Sequence, residues 1–343
     1  MHEPPVRVAV LGAGAIGAYV GAALARGGTE VHLIARGANL EALQRNGVKV
    51  RSDRGDFEAH PPATDDSREV GPVDFVFIGL KAHSYETCGP LLEPLLHGET
   101  AVVAGQNGIP WWYFHRLEGP YEGRRIEAVD PGGAVSRVIP PERAIGCVAW
   151  PGTALAEPGV VQHFEGTRFS IGEPDGSISE RCERFSEAMV AGGLKCPIEE
   201  RIRDDIWVKL MGNVAFNPLS ILTRATLAEM CGHEPTRALV AKIMAESLEI
   251  ARAVGADPSI SIEKRLAGAA GVGEHKPSTL QDLEAGKPLE LAALVDGVVE
   301  LADLTGVEAP SLRAVAAASS LLAEMLGLSS ASAPTAAPLA RSR

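Results

Sequence analysis

The stretch VRVAVLGAGAIGAYVGAALA, residues 6–25, decides the fold. Val6–Leu11 is a short apolar run without alternation, as a strand buried on both faces requires. Gly12-Ala-Gly14-Ala-Ile-Gly17 follows at once, and Ala18–Ala25 is uncharged and helical in composition. Strand, glycine turn and helix in that order form the opening unit of a dinucleotide-binding fold. Gly12 permits the tight turn, Gly14 lets a pyrophosphate reach the backbone, and Gly17 lets the helix lie close to the strand. Ala15 and Ile16 then open a helix whose free N–H groups meet the phosphates. The same run superficially resembles a leader peptide, but glycines interrupt it and a polar segment follows, so we read no targeting segment.

Outward from this unit the pattern repeats. Glu30–Ala35, Asp74–Leu80, Ala101–Ala104 and Arg125–Val129 read as further strands separated by helical connectors, which makes a mostly parallel α/β array. Cys147–Trp150, Val160–Phe164 and Arg168–Ile171 read as an antiparallel continuation of the same sheet. After Ile198 helical spacing takes over in Asp204–Leu222, Pro235–Val254, Ile260–Ala270, Leu289–Thr305 and Ser311–Leu326, with Gly255, Pro258, Gly306 and Pro310 at the stops. We therefore expect a doubly wound Rossmann domain over residues 1–198 and an all-helical catalytic domain over 199–326. The Ser, Ala and Pro of residues 327–343 suggest a disordered tail.

Composition narrows the function. The chain has 343 residues, 45% of them hydrophobic, enough for two domains with large cores. Its formal net charge of -12 repels phosphate backbones and anionic membranes, so neither nucleic acid nor a membrane is an expected partner. An anionic ligand must then be met by a local cluster of positive charge. The five cysteines are scattered, without a CxxC pair, and the histidines lack metal-ligand spacing. That speaks for a reducing cytoplasm and against a disulfide framework or a metal site.

The end of the second strand bears on the cofactor. An acidic residue there would hold the ribose hydroxyls of NAD, but the sequence reads Ile34-Ala35-Arg36-Gly37. A guanidinium suits a 2′-phosphate, so Arg36 implies NADPH unless it is a solvated loop residue. Lys81, at the end of Asp74–Leu80, emerges on the same sheet edge and adds a second cation, or is an ordinary surface lysine.

In the second half, Lys209, Asn213 and Asn217 stand at i, i+4 and i+8, on one helix face that drifts only about 40° per step. Two asparagines in register cost helix stability, so the stripe needs a reason: ligand binding, or an interhelical hydrogen-bond network. Farther on, Ser278 with Gln281 reads as a capping box, and Glu290 as an acid suited to the start of a helix.

Together these motifs resemble the ketopantoate reductases (2-dehydropantoate 2-reductases). GAGAIG at Gly12–Gly17, Gln106-Asn107-Gly108, KLMGNVAFNPLS from Lys209 and KPSTLQDLEAGKP from Lys276 fall in the family's order across roughly residues 6 to 320. The resemblance implies reduction of a 2-keto acid with NADPH, ketopantoate to (R)-pantoate on the way to pantothenate and coenzyme A. It implies Lys209 as proton donor, Asn213 and Asn217 as orienting residues, Ser278 on the substrate carboxylate and Glu290 on its hydroxyl. It further implies Asn107 near the nicotinamide, and Arg36 and Lys81 on the 2′-phosphate.

The chain also departs from the family. The run Glu290-Leu-Ala292-Ala-Leu-Val295-Asp296 lacks the Asp and Asn-Gly that commonly follow the glutamate, and Ser84 stands where a glutamine often helps bind cofactor. Trp111-Trp112-Tyr113-Phe114, shortly after Asn107, is unusual in a chain with 5% aromatic residues. Either these rings pack the loop under the sheet edge, or, with Trp207, they wall a pocket for a bulkier or aromatic 2-keto acid. A non-catalytic NADPH-binding sensor is the third reading, opposed by an intact Lys209, Asn213 and Glu290. A helical half with apolar faces is compatible with a homodimer, though no interface signature is visible.

Overall fold

A computed structural model describes residues 6–329. By internal contacts the described residues form two units, 6–210 with 254–259, and 211–253 with 260–329, so the boundary falls inside a long helix.

The first unit holds eleven strands: β1 (Arg7–Leu11), β2 (Glu30–Ile34), β3 (Val48–Ser52), β4 (Phe57–Ala59), β5 (Ala63–Thr64), β6 (Phe75–Ile78), β7 (Ala101–Ala104), β8 (Ala144–Ala149), β9 (Gly152–Glu157), β10 (Val160–Glu165) and β11 (Phe169–Gly172). The main sheet runs β11-β8-β7-β6-β1-β2-β5, parallel except for β11 on β8. The strand order reverses at β1, whose parallel neighbours are β2 and β6, the switch point at which such sheets bind ligands.

Burial explains the unbroken apolar runs. Val8 and Val10 pack into one hydrophobic cluster and Ala9 and Leu11 into another, because successive side chains leave opposite faces of the sheet. The same alternation separates Phe75 and Phe77 from Val76 and Ile78.

A second sheet, β4-β3-β10-β9, was not anticipated. Val160–Phe164 belongs to it, beside β3, and does not extend the main sheet. The helix Ala15–Arg26, here α1, shares its hydrophobic cluster with Val48, Val50, Ala59 and Val161 of this sheet and with Val8 and Val10 of the main one. Sheets on two sides leave it no wet face, so every residue from Gly17 to Leu24 is buried and no charge interrupts it before Arg26.

Two further expectations need correction. Arg125–Val129 is a series of turns, with the N–H groups of Val129 and Asp130 both bonded to the Ile126 carbonyl. The free edge of β7 is taken instead by β8, all six of whose residues are buried, whereas Arg125 and Glu127 pair in solvent. In addition β8 runs parallel to β7, and only β11 continues the sheet antiparallel.

The second unit is helical. After the long helix Ile202–Thr223 come Leu227–Gly232, Glu234–Ala253, Ile262–Gly271, Ser278–Glu284, Gly297–Thr305 and Pro310–Met325. Five residues, Ala292–Asp296, form a π-helical turn shortly after Glu290, in the segment that departs from the family pattern. Such turns are rare and concentrate at functional sites. The expected tail begins in order: Leu289 N–H donates to the Leu328 carbonyl, and residues beyond 329 lie outside the described chain.

Candidate active site

Each glycine of the first turn has a structural reason. Gly12 sits at φ 96°, a left-handed conformation that favours glycine, and a Cβ there would lie 2.6 Å from Leu80 Cδ2. A Cβ on Gly17 would collide with the Gly12 carbonyl and approach Val10, which fixes how closely α1 lies on β1. A Cβ on Gly14 would meet nothing within 4 Å. That open space lies at the N-terminus of α1, where no side chain caps the helix. Ala15, Ile16 and Gly17 form its first turn, so unbonded N–H groups and the positive end of the dipole face the cradle. The residues fit a diphosphate.

The neighbouring strand ends supply the rest. Arg36 follows β2 and Lys81 follows β6, on either side of the glycine turn. The Arg36 side chain is exposed and no ion pair engages it among the described residues. Asn107 follows β7, the next strand along. The nucleotide residues expected from sequence thus lie on one sheet edge.

Asn107 also lines a crevice of about 20 Å³, with room for roughly one water, together with Gln106, Trp112, Cys147, Ile206 and Lys209. Lys209 stands in the helix Ile202–Thr223, and its ammonium donates to the carbonyl of Ala149 at the end of β8. Gln106 has its Oε1 buried without a partner, although its Nε2 donates to the Ile109 carbonyl. Sequence reading missed Gln106 and Cys147 as neighbours of the lysine. Burial pushes the Cys147 thiol up to about 12, against the pull of Lys209, so it is no nucleophile.

The aromatic run is chiefly core. Trp111, Trp112, Tyr113 and Phe114 are each at most 5% exposed, and only Trp112 reaches the crevice. Trp111 Nε1 donates to the Ile139 carbonyl, and Trp207 Nε1 donates to the Tyr113 hydroxyl at 2.7 Å. Burial pushes the Tyr113 phenol far above its ordinary value. Beneath them lies Arg203, its guanidinium over the rings of Trp112 and Tyr113, donating to the carbonyls of Tyr113, Pro174 and His115. Trp207 is fully buried, so it walls no pocket.

In the second unit, Asn213 and Asn217 continue the face of the long helix that begins at Lys209. Asn217 is 4% exposed and its Nδ2 has no partner, a buried donor without an acceptor. No interhelical network among the described residues takes up that donor. Ser278 is the first residue of its helix and not the cap. The Pro277 carbonyl accepts from the N–H groups of both Leu280 and Gln281, so the exposed Ser278 hydroxyl is not spent on capping. Glu290 is half-buried just before the π-helical turn. No group of three or more His, Cys, Asp or Glu that could hold a metal occurs among the described residues. Nor is any helix among them long and apolar enough to cross a membrane.

Comparison with known proteins follows the same division. A family model described as ketopantoate reductase PanE/ApbA matches residues 8–176, and one for the C-terminal part of that family matches residues 201–323. A 2-dehydropantoate 2-reductase of Mesorhizobium japonicum is 46% identical over 91% of this chain and 96% of its own length. The solved 2-dehydropantoate 2-reductase of Geobacter metallireducens superposes with a TM-score of 0.80 at 30% identity, over 91% of this chain and 98% of that one. That of Methylococcus capsulatus reaches 0.79 at 27% identity, over 94% and 98%. With both halves matched in order and a relative this close over nearly its full length, the chain belongs to the ketopantoate reductase family.

Proposed function

We propose that this chain reduces 2-keto acids with NADPH, converting ketopantoate to (R)-pantoate for pantothenate and coenzyme A synthesis. The observation that carries the reading is the crevice in which Lys209 meets Asn107, beside the sheet edge that bears the glycine turn. Relatives in Mesorhizobium japonicum and Nostoc carry the name 2-dehydropantoate 2-reductase, which supports this reading. The setting is the cytoplasm, which suits five free thiols, four of them buried.

When bound, the dihydronicotinamide supplies a hydride to C2 of the keto acid. The open face at Gly14 and the uncapped start of α1 bind the diphosphate, while Arg36 and Lys81 take the 2′-phosphate and Asn107 positions the ring. Lys209 holds the proton that the developing alkoxide takes up, and its bond to the Ala149 carbonyl keeps the ammonium aimed into the crevice. Asn213 and Asn217 orient the substrate, Asn217 with a donor that nothing else satisfies. Ser278 serves the carboxylate and Glu290 the hydroxyl.

The test is NADPH oxidation by purified protein, with ketopantoate set against a panel of bulkier 2-keto acids. Fast turnover of ketopantoate supports the reading. Preference for a bulky acid would move the substrate, with Trp112 the residue to alter first. Tight NADPH binding without turnover of any acid would sink the enzyme reading and favour the sensor.

Arg36 gives a separate expectation. Arg36→Ala removes charge-assisted bonds to a dianion, so the KM for NADPH should rise about 10–100-fold while that for NADH barely moves. Equal effects on both cofactors would show that Arg36 does not read the 2′-phosphate.

A further inference from the structure

Among the described residues two arginines sit largely out of water without an acidic partner, Arg203 buried and Arg265 half-buried, and they differ in one respect. Arg203 donates to three backbone carbonyls and lies over two aromatic rings, so its charge is accounted for. Arg265, in the helix Ile262–Gly271, has no side-chain hydrogen bond and no ion pair among the described residues, and its Nε is buried without a partner. Burial alone acts on it, holding its pKa below the ordinary arginine value with no carboxylate to offset the loss of water. A guanidinium is costly to enclose in that condition.

Its position is as specific as its lack of partners. The guanidinium lies against Gly212 of the long helix: a Cβ there would come within 2.5 Å of Nη2, 2.7 Å of Nε and 2.9 Å of Cζ. Any other residue at 212 would displace the charged group. Glycine in the middle of a 22-residue helix is destabilising relative to alanine. Gly212 precedes Asn213 and follows Lys209 by three residues, so the charge lies on the shoulder of the polar stripe. Farther along the stripe is the other unsatisfied donor of this unit's helix, Asn217 Nδ2. Two penalties, a mid-helix glycine and a half-buried cation whose Nε has no partner, fall together beside the polar stripe.

We propose that Arg265 is a further substrate-binding residue that shares the carboxylate of the 2-keto acid with Ser278, with Gly212 giving it room against the helix. The proposal rests on the reductase reading and deepens it by naming the positive charge that an anionic substrate needs. A planar fork of donors matches a carboxylate with two parallel bonds, and a protein of net charge -12 must supply such a group locally.

The test compares ketopantoate with its neutral lactone in the wild type and in Arg265→Met, which keeps the apolar stem without the charge. Loss of the pair should raise the KM for ketopantoate about 10–100-fold, leave the NADPH KM unchanged and spare the lactone. Arg265→Lys, the fallback should the methionine variant not fold, keeps the charge without the fork and should fall between. Equal losses with both substrates, or no change in KM, would reduce Arg265 to a packing residue and overturn the proposal. Should the wild type reduce no keto acid, the reductase reading fails separately. Oxamate titrated into the NADP-saturated protein by calorimetry then decides for Arg265. Binding lost in the variant supports the carboxylate site; equal binding in both, or none in the wild type, overturns it.

Discussion

Lys209→Ala is expected to lower kcat with ketopantoate by about 10²–10⁴-fold, the range for removing a positioned general acid. This corresponds to roughly 3–5 kcal/mol of transition-state stabilisation. The ammonium is held where a proton can be delivered, beside Asn107 and fixed by the Ala149 carbonyl. Its loss should therefore fall on the chemical step. NADPH affinity, followed by fluorescence titration, should stay within a few-fold of wild type, because none of the groups assigned to the nucleotide is altered. Loss of the bond to the Ala149 carbonyl should lower the melting temperature by a few degrees, about 1 kcal/mol of stability. A variant with near-normal kcat would remove Lys209 from the reaction. One that unfolds would make the lysine a structural clamp.

Arg203→Ala should be the most damaging substitution for stability. It leaves three carbonyls, those of Tyr113, Pro174 and His115, without their donor, and empties the space beneath two aromatic rings. At 1–3 kcal/mol for each group left wanting, and with water able to reach some of them, the expected loss is about 3–6 kcal/mol. For a unit of this size that is a fall of roughly 6–20 °C in melting temperature, measurable by calorimetry. Near-ultraviolet circular dichroism should lose intensity as Trp112 and Tyr113 loosen. Arg203→Lys, which cannot reach three diverging carbonyls, should recover only part of the loss. A drop of a degree or two in Arg203→Ala would mean that the loop carbonyls find other donors.

How much of this was legible beforehand depends on how local each feature is. The turn at Gly12–Gly17 was readable because its constraints lie within a few residues: a positive φ, a close helix and an open cradle. The helix carrying Lys209, Asn213 and Asn217 was readable from its period, and its observed bounds exceed the expected ones by only two residues at the start and one at the end. Arg125–Val129 misled because strand formation is decided by competition for an edge, and the fully apolar Ala144–Ala149 wins the place beside β7. Ser278 misled because the preceding Pro277 carbonyl already occupies the N–H groups a cap would serve. The second sheet was missed because β3 alternates Val48, Val50 with Lys49, Arg51 and is short, and its partner β10 is more than a hundred residues away. Arg265 carried no sequence signal at all: in Glu263-Lys264-Arg265 it reads as one more solvated charge. Its partial burial arises only in the fold, where its helix packs on Leu227–Gly232 and Glu234–Ala253 and its guanidinium lies against Gly212.

The enclosure of α1 between two sheets bears on how the nucleotide site behaves over time. An element with no wet face opens only when a large part of its unit opens, so its amides should be among the slowest to exchange with solvent. The cradle at Gly14 is thus rigid before any ligand arrives, and little of the binding free energy goes into ordering it. Arg36, exposed on the turn after β2, touches none of that packing. On the proposed assignment of Arg36 to the 2′-phosphate, preference between phosphorylated and unphosphorylated nucleotides can drift over generations through surface changes alone, while the cradle itself stays fixed.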